Sequence, residues 1–186
     1  MRVLGVSGSL RQASHNRKLL RAAAALLPPE AEFVEYERLK AIAPFDEDDE
    51  SAPGEAVADW REAIEQADAI LFATPEYNSS IPGQLKNAID WASRPSNATV
   101  LRNKPVAVIG ASTGMFGAVW SQAELRKVLS AAGARVVDRE LPVAGADEAF
   151  EVDGRLNDDD LALQLEGILA ELLEAARQRS RSLVSR

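Results

Sequence analysis

Cysteine is absent from the 186-residue sequence, and histidine occurs once, as His15. Without a thiol, the chain has no disulfide framework, thiolate nucleophile or cysteine-ligated zinc site. A single imidazole excludes a metal site built from several histidines and leaves one candidate base for a Ser-His-Asp triad. No metal site is therefore expected. Aromatic residues make up only 5% of the chain, but the hydrophobic share of 46% is ordinary for a globular protein.

Positive charge is also scarce. Lys and Arg number 21 against 29 Asp and Glu, giving a formal net charge of −8, and a surface of this sign repels nucleic acid. No apolar run approaches the roughly 20 residues that span a bilayer. The first residues show neither the basic region nor the cleavage site of a signal peptide. We therefore expect no nucleic-acid partner, no membrane partner and a cytoplasmic location.

Short apolar runs alternate with helical patterns along the whole chain. The predicted strands cover 2–6, 32–36, 69–73, 105–110 and 134–137, and the predicted helices cover 16–27, 54–66, 84–91, a segment ending near 131, and 161–176. This alternation predicts a parallel sheet with helices on both faces. We expect a flavodoxin-like, doubly wound α/β fold of five strands in the order 2-1-3-4-5. We also expect a single domain over 1–176 and a basic, frayed tail over 177–186.

The segment after the first strand has the composition of an anion site. Residues 8–16 (GSLRQASHN) are rich in small and hydroxyl side chains and lead into a helix, whose first N–H groups and dipole favour negative charge. Arg11 adds a guanidinium that matches two phosphate oxygens. The glycine fingerprint of dinucleotide sites and the P-loop are both missing, so a terminal monophosphate suits this loop better than a pyrophosphate. A plain strand-to-helix turn with Ser14 as N-cap is the alternative.

Two further loops follow the third and fourth strands and are predicted to lie beside the first. The loop at 74–83 is stiffened by prolines and offers the ring of Tyr77 and the amide of Asn78 to a flat heterocycle. A rigid surface loop whose tyrosine packs on its neighbour is the alternative. The loop at 110–117 consists largely of small residues, which allow a ligand to approach the backbone closely. Three such loops at one sheet edge indicate a ligand site more strongly than any one alone.

These three loops also carry a resemblance to a known family. In the segments GSLRQASHN (8–16), PEYNSSIPGQLKNAIDWASRP (75–95) and GASTGMFG (110–117), the chain resembles the NADPH-dependent FMN reductases, which include chromate- and quinone-reducing flavoproteins. The middle segment is long and specific, and VDGRLND (152–158) is similar to the C-terminal part of the family. In order and spacing, the resemblance covers nearly the whole chain.

The resemblance implies noncovalently bound FMN, with NADPH or NADH as the electron donor. Hydride would pass through FMN to a small-molecule acceptor such as a quinone, free flavin, chromate or an azo compound, in a ping-pong order. Because the flavin carries the chemistry, no side chain is expected to be catalytic. Relatives are commonly dimers or tetramers, which implies a homodimer or homotetramer. The implied phosphate ligands are Ser9, Arg11, Ser14 and Asn16, the residues implied to line the isoalloxazine ring are Pro75, Glu76, Tyr77 and Asn78, and those implied to close the pocket are Ser112 and Gly114.

Two other functions stay open on the sequence. A flavodoxin-like electron carrier would bind flavin but react little with nicotinamides. A nucleotide-binding enzyme without flavin would bind NADPH but not FMN. The role of His15 is open as well: it lies in the first loop, where a solvated side chain is favoured over contact with phosphate.

Overall fold

Six β-strands and five α-helices alternate through residues 1–184, the part of the chain that the computed structural model describes. The strands are β1 (Arg2–Ser7), β2 (Glu32–Tyr36), β3 (Ala69–Thr74), β4 (Pro105–Ala111), β5 (Arg135–Val136) and β6 (Pro142–Val143). The helices are α1 (His15–Ala25), α2 (Glu55–Gln66), α3 (Gly83–Ala92), α4 (Val119–Ala131) and α5 (Asp159–Val184). Short 3₁₀ turns at Leu39–Ala41 and Glu47–Asp49 lie between β2 and α2.

The strands form one parallel sheet in the order β2-β1-β3-β4-β5, which confirms the predicted flavodoxin-like topology. Val3 of β1 pairs with Ala69 of β3, and Ile70 of β3 pairs with Val106 of β4. β1, β3 and β4 therefore lie side by side, and their carboxyl ends meet at one edge. The loops that follow these three strands are brought together there.

The prediction of five strands missed β6. The strand β5 has only two residues and pairs with the beginning of β4, at Pro105 and Val106. β6 pairs with the far end of the same strand, at Gly110 and Ala111. Two residues are too few to show an alternating or continuous apolar pattern, so β6 carried no signal in the sequence.

Helices cover both faces of the sheet, as predicted. One core lies under α1 and α5 and includes Leu19, Leu71 and Leu165. The other lies under α2, α3 and α4 and includes Trp60 and Phe72. Every residue of β3 is buried, because a central parallel strand is covered on both sides.

The end of the last helix differs from the prediction. The prediction ended this helix at 176, whereas α5 continues to Val184. Of the tail predicted over 177–186, the last two residues lie outside the described part of the chain. The apolar stripe stops at Ala176, which is where the prediction ended the helix. No glycine or proline follows, however, so the helix has no stop signal. A hydrogen bond from Arg135 to Gln178 (2.7 Å) ties this extension to β5.

Candidate functional site

The three ligand-suited loops meet at the carboxyl edge of β1, β3 and β4 and enclose a cavity of about 220 Å³. Most of the predicted site residues line it, and three residues that were not predicted as ligands do so too. The predicted ones are Ser9, Arg11, Ser14, Asn16, Pro75, Glu76, Tyr77 and Ser112, and the additional ones are His15, Ala111 and Thr113. Asn78 and Gly114 do not line the cavity.

The first loop presents the start of α1 to the cavity. Ser14 is the N-cap, and its hydroxyl accepts a hydrogen bond from the N–H of Arg17 (3.3 Å). Ser14 is therefore the helix cap that the alternative interpretation predicted, and it also lines the cavity. Helix geometry leaves the earlier N–H groups, those of His15 and Asn16, without intrahelical acceptors. An anion in the cavity would meet these N–H groups and the positive end of the helix dipole.

Arg11 is the exposed cation of this loop. Its guanidinium donates to the carbonyl of Ala13 (2.8 Å). The backbone N–H of Arg11 donates to the hydroxyl oxygen of Ser9 (3.4 Å). The bond to Ala13 is local and solvent-exposed, so exchanging it for a bond to a bound anion costs little. Arg11 can therefore turn onto an anion without disturbing the fold.

Asn16 is buried and its amide is engaged elsewhere. The side chain donates to the carbonyl of Ala111 and accepts from the N–H of Ala111, both at 2.9 Å. This pair of bonds ties the first turn of α1 to the end of β4. Asn16 thus holds two of the three loops in register, and only one of its amide hydrogens is left for a ligand.

The second loop begins with a tight turn. The N–H and carbonyl groups of Tyr77 and Ser80 bond to each other at 3.0 and 3.1 Å. The residues between them, Asn78 and Ser79, have φ of 54° and 60°, the left-handed conformation that such a turn requires and that asparagine tolerates. The turn leaves the ring of Tyr77 about half exposed at the mouth of the cavity and places Asn78 outside the lining.

Glu76 caps the helix that follows the third loop. Its carboxylate accepts from the N–H groups of Trp120 (3.1 Å) and Ser121 (3.2 Å) in the first turn of α4. Ser121 in turn donates its hydroxyl to the carbonyl of Pro75 (2.9 Å) and lies 2.9 Å from the hydroxyl of Thr74. These bonds hold the second loop against α4.

The third loop is fixed by residues that the sequence did not single out. The amide of Gln122, fully buried, donates to the carbonyl of Gly117 (3.0 Å) and accepts from the N–H of Leu141 (2.9 Å). Ser112 accepts from the N–H of Gly114 (3.1 Å), so Gly114 shapes the loop rather than lining the cavity. Gln122 and Ser121 lie on a helix, where a polar residue usually faces solvent, and their positions gave no signal of burial.

His15 is the first residue of α1 and is half-buried at the cavity. Its Nδ1 is shielded from solvent and has no hydrogen-bond partner within the described part of the chain. Burial, together with the nearby cations of Arg11 and Lys18, lowers the pKa of His15 below its usual 6.5. The sequence favoured a solvated side chain, whereas the ring is partly enclosed.

Large apolar side chains are exposed beside the cavity. Tyr77, Met115, Phe116 and Trp120 are each at least 48% exposed. The rings of Phe116 and Trp120 pack edge to face with their centroids 4.8 Å apart. We call these four residues the apolar rim. Exposed apolar groups clustered next to a polar cavity are typical of a binding or association surface.

Several other surface depressions are larger than this cavity. One of about 440 Å³ lies along the outer edge at β2, one of about 280 Å³ lies beside β5, and one of about 360 Å³ lies between α3 and α4. None of the three is lined by the loops that follow β1, β3 and β4. Volume alone does not identify a site, and the carboxyl edge combines a helix start, an exposed guanidinium and an aromatic ring.

The chain matches the model of a known protein family. The model of the NADPH-dependent FMN reductases fits residues 1–148. The chain belongs to this family. This match confirms the resemblance to the NADPH-dependent FMN reductases that the sequence showed. It also confirms that the protein is an oxidoreductase and that its cofactors are FMN and a nicotinamide donor.

Individual proteins of this family are similar to the chain over most of its length. An NAD(P)H-dependent FMN reductase of Pseudomonas aeruginosa is 44% identical over 162 residues, which is 86% of either chain. A quinone reductase of Pseudomonas putida is 39% identical over 155 residues, covering 82% of this chain and 83% of its own. The solved structure of FerB, a flavoenzyme NAD(P)H:(acceptor) oxidoreductase from Paracoccus denitrificans, superposes with a TM-score of 0.83 at 34% identity, covering 95% of this chain and 97% of its own.

Proposed function

We propose that this chain holds FMN in the cavity at the carboxyl edge and carries electrons from NADPH or NADH to a small-molecule acceptor. The observation that carries the proposal is the meeting of an anion-suited helix start, with Arg11 beside it, and the half-exposed ring of Tyr77 in one cavity. The donor set fits a phosphate ester, because unpaired N–H groups, hydroxyls and a guanidinium all favour a dianion.

Each predicted ligand has a part in this proposal. Ser9, Ser14 and Arg11 hold the phosphate, together with the N–H groups of His15 and Asn16. The Asn16 side chain positions the loops through Ala111. The ring of FMN lies against the second loop, bounded by Pro75, Glu76 and Tyr77, with Asn78 shaping the turn. Ser112 closes the third side, in a loop that Gly114 shapes.

The size of the cavity limits how the cofactor sits. At about 220 Å³ it is smaller than the roughly 300 to 1,000 Å³ of pockets that enclose a whole ligand. We infer that the enclosed part takes the phosphate and the adjoining chain, while the ring lies at the open mouth against Tyr77. An open ring leaves one face accessible to both substrates.

FMN supplies the hydride-accepting chemistry when bound, so donor and acceptor react in turn, and no side chain is catalytic. The residues of this chain bind, orient and expose the cofactor. The half-exposed ring of Tyr77 offers a flat apolar surface to a planar substrate. A quinone fits this surface, and the names of several relatives refer to quinone reduction. Free flavin, chromate and azo compounds are the other acceptors within the proposal.

We propose that the chain acts as one domain and assembles as a homodimer or homotetramer through Met115, Phe116 and Trp120 of the apolar rim. One sheet carries both cores, so neither half of the chain has a core of its own. Burying Met115, Phe116 and Trp120 against a second copy would remove apolar surface from water beside the site. We place the protein in the cytoplasm, where its nicotinamide donor is found. No helix within residues 1–184 has the length and apolar character to cross a membrane.

The visible spectrum of the purified protein tests the function. After incubation with FMN and removal of the excess, we expect a bound-flavin spectrum that bleaches anaerobically with NADPH or NADH and returns on addition of a quinone. Bound flavin that neither nicotinamide bleaches would establish the electron carrier instead. A protein that binds NADPH but no flavin would overturn the proposal.

A further inference from the structure

The only imidazole in the chain lies where the proposed phosphate site begins. His15 is the residue after the N-cap Ser14, so it occupies the first position of α1. The residue lines the cavity together with Ser9 and Arg11. With a usual pKa near 6.5, an imidazole is the side chain whose charge changes most readily near neutral pH.

The His15 ring is surrounded by groups of both signs. Arg11 from the loop and Lys18 from the next turn of α1 oppose a positive charge on it. Asp147 and the carbonyl of Ala146, from the segment after β6, favour that charge. Across the cavity, the carboxylate of Glu76 is engaged by the N–H groups of α4. Burial and the two cations outweigh the favourable groups, so the pKa of the ligand-free imidazole is below the usual value.

The dipole of α1 also disfavours a positive charge on His15. The N-terminus of a helix carries partial positive charge, which disfavours a cation in the first turn. Nδ1 of His15 is shielded from solvent and finds no partner within residues 1–184, and the groups that favour a proton on the ring, Asp147 and the carbonyl of Ala146, do not offset burial and the two cations. Near neutral pH, the ligand-free site therefore holds an uncharged ring whose protonation is suppressed by its neighbours.

A phosphate dianion in the cavity opposes the positive charges around His15. Its negative charge offsets Arg11, Lys18 and the helix dipole, and its oxygens accept hydrogen bonds. An imidazolium beside it would gain a charge-assisted hydrogen bond, which is stronger than a neutral one. The bound anion and the protonated ring therefore stabilise each other.

We propose that His15 takes up a proton from solvent when the phosphate of FMN binds, and that it acts as a proton-coupled ligand of that phosphate. This inference rests on the proposed function, since it requires FMN in this cavity. No other reactant is needed, because the imidazole gains one proton and the phosphate keeps its charge. The coupling is reciprocal: protonation of His15 strengthens FMN binding as much as FMN binding favours protonation.

The sign of the pH dependence follows from this coupling. Between the lower pKa of the free ring and the higher pKa of the bound ring, binding consumes a proton. The contribution of His15 to FMN affinity is therefore full below the free-state pKa and is lost as the pH rises through the bound-state pKa. If FMN binding raises the pKa of His15 by about one unit, protonation of His15 changes the affinity for FMN about tenfold. Riboflavin, which lacks the phosphate, would show no such contribution.

Proton NMR of the full-length protein tests the proposal directly, because a single histidine gives a single set of imidazole signals. The pKa of His15 is measured without ligand, with FMN and with riboflavin. We expect FMN to raise this pKa by about one unit or more and riboflavin to leave it unchanged. An unchanged or lowered pKa with FMN bound would overturn the inference while leaving the proposed function in place. Failure of FMN to bind, followed by flavin fluorescence, would overturn both.

Affinity measurements on His15→Gln provide an independent test. Glutamine keeps a hydrogen-bonding group but does not titrate. We expect the ratio of wild-type to variant FMN affinity to fall about tenfold between about pH 5.5 and about pH 8, and the riboflavin ratio to stay flat. The second ionisation of the free FMN phosphate is the same for both proteins and cancels in this ratio. A pH-independent FMN ratio would contradict the inference.

Discussion

The carboxylate of Glu76, from the loop after β3, accepts a hydrogen bond from the backbone N–H of Ser121 in the first turn of α4 (3.2 Å). The hydroxyl of Ser121 returns a bond to the carbonyl of Pro75 (2.9 Å). A residue predicted from the sequence to line a flavin therefore also caps a helix. Its negative charge stands at the positive end of α4, where it is stabilising.

Glu76→Ala should lower the free energy of unfolding by about 0.5 to 2 kcal/mol, because the first N–H groups of α4 lose their cap. Glu76→Gln should lower it by less, since an amide oxygen can still accept a bond. Urea denaturation measures both. Glu37→Ala, at an exposed glutamate after β2, is the control and should change little. Equal stabilities of the Glu76→Ala and Glu37→Ala variants would contradict the capping role.

Asn16→Ala should cost about 2 to 4 kcal/mol of stability, because it leaves the buried N–H and carbonyl of Ala111 without partners. If Asn16 acts by positioning the loops, FMN and riboflavin should lose affinity by similar factors. Asn157→Ala removes an exposed bond to the carbonyl of Glu148 and serves as the control. Loss of FMN affinity alone, with unchanged stability, would show that Asn16 is chiefly a phosphate ligand.

Arg11→Ala should weaken FMN binding about 10- to 100-fold, because the variant loses a charge-assisted hydrogen bond to the phosphate. Riboflavin binding and the urea midpoint should stay near those of the wild type, because Arg11 is exposed and bonds only to its own loop. Fluorescence titration with the two flavins separates these effects. Arg102→Ala, at another exposed arginine that bonds to nearby carbonyls, is the matched control. A parallel loss of riboflavin binding would argue against phosphate contact.

Lys104 should make stability rise with pH in alkaline solution. Its ammonium is buried against the carbonyls of Ala67 (2.6 Å) and Glu65 (3.3 Å), and burial lowers its pKa to about 8. The unfolded chain keeps this proton up to about pH 10.4, so it binds more protons than the folded chain between these values. Wild type should therefore gain up to about 3 kcal/mol relative to Lys104→Met across this window.

Unfolding free energies of both proteins between about pH 7.5 and about pH 10.5 provide the measurement. Lys40→Met, at an exposed lysine, is the control, and its difference from wild type should not change with pH. A Lys104→Met difference that stays flat, or that moves against the wild type as the pH rises, would refute the effect of burial.

Phe116→Asp should convert the proposed homo-oligomer to monomers, because a buried carboxylate without a partner is costly at an interface. Sedimentation velocity measures the assembly state. Val152→Asp is the matched control, since Val152 is an exposed apolar residue outside the apolar rim and should leave assembly unchanged. A monomeric wild type, or a Phe116→Asp protein that still assembles, would rule out the rim as the interface.

The alternation of strands and helices was predictable because it depends on local patterns, and the fold class that it indicates carries the strand order and the meeting of the three loops. β3 is a continuous apolar run, and α1 has its apolar residues on one face, so each element could be recognised alone. Once parallel strands are recognised, their carboxyl ends must share an edge. β6 and the extension of α5 to Val184 were missed because pairing and contacts with distant residues, rather than local pattern, define them.

The sequence by itself determined the alternating elements, the polarity of the three loops and the family to which the chain belongs, because these are written in residue types and short-range spacing. Only the tertiary structure decided what each polar side chain does. Asn16 meets Ala111 across 95 positions of sequence, and Gln122 reaches Leu141 across 19. Whether an amide faces a ligand or a backbone depends on which partner folding brings within hydrogen-bond distance. Neighbouring residues in the sequence do not specify that partner.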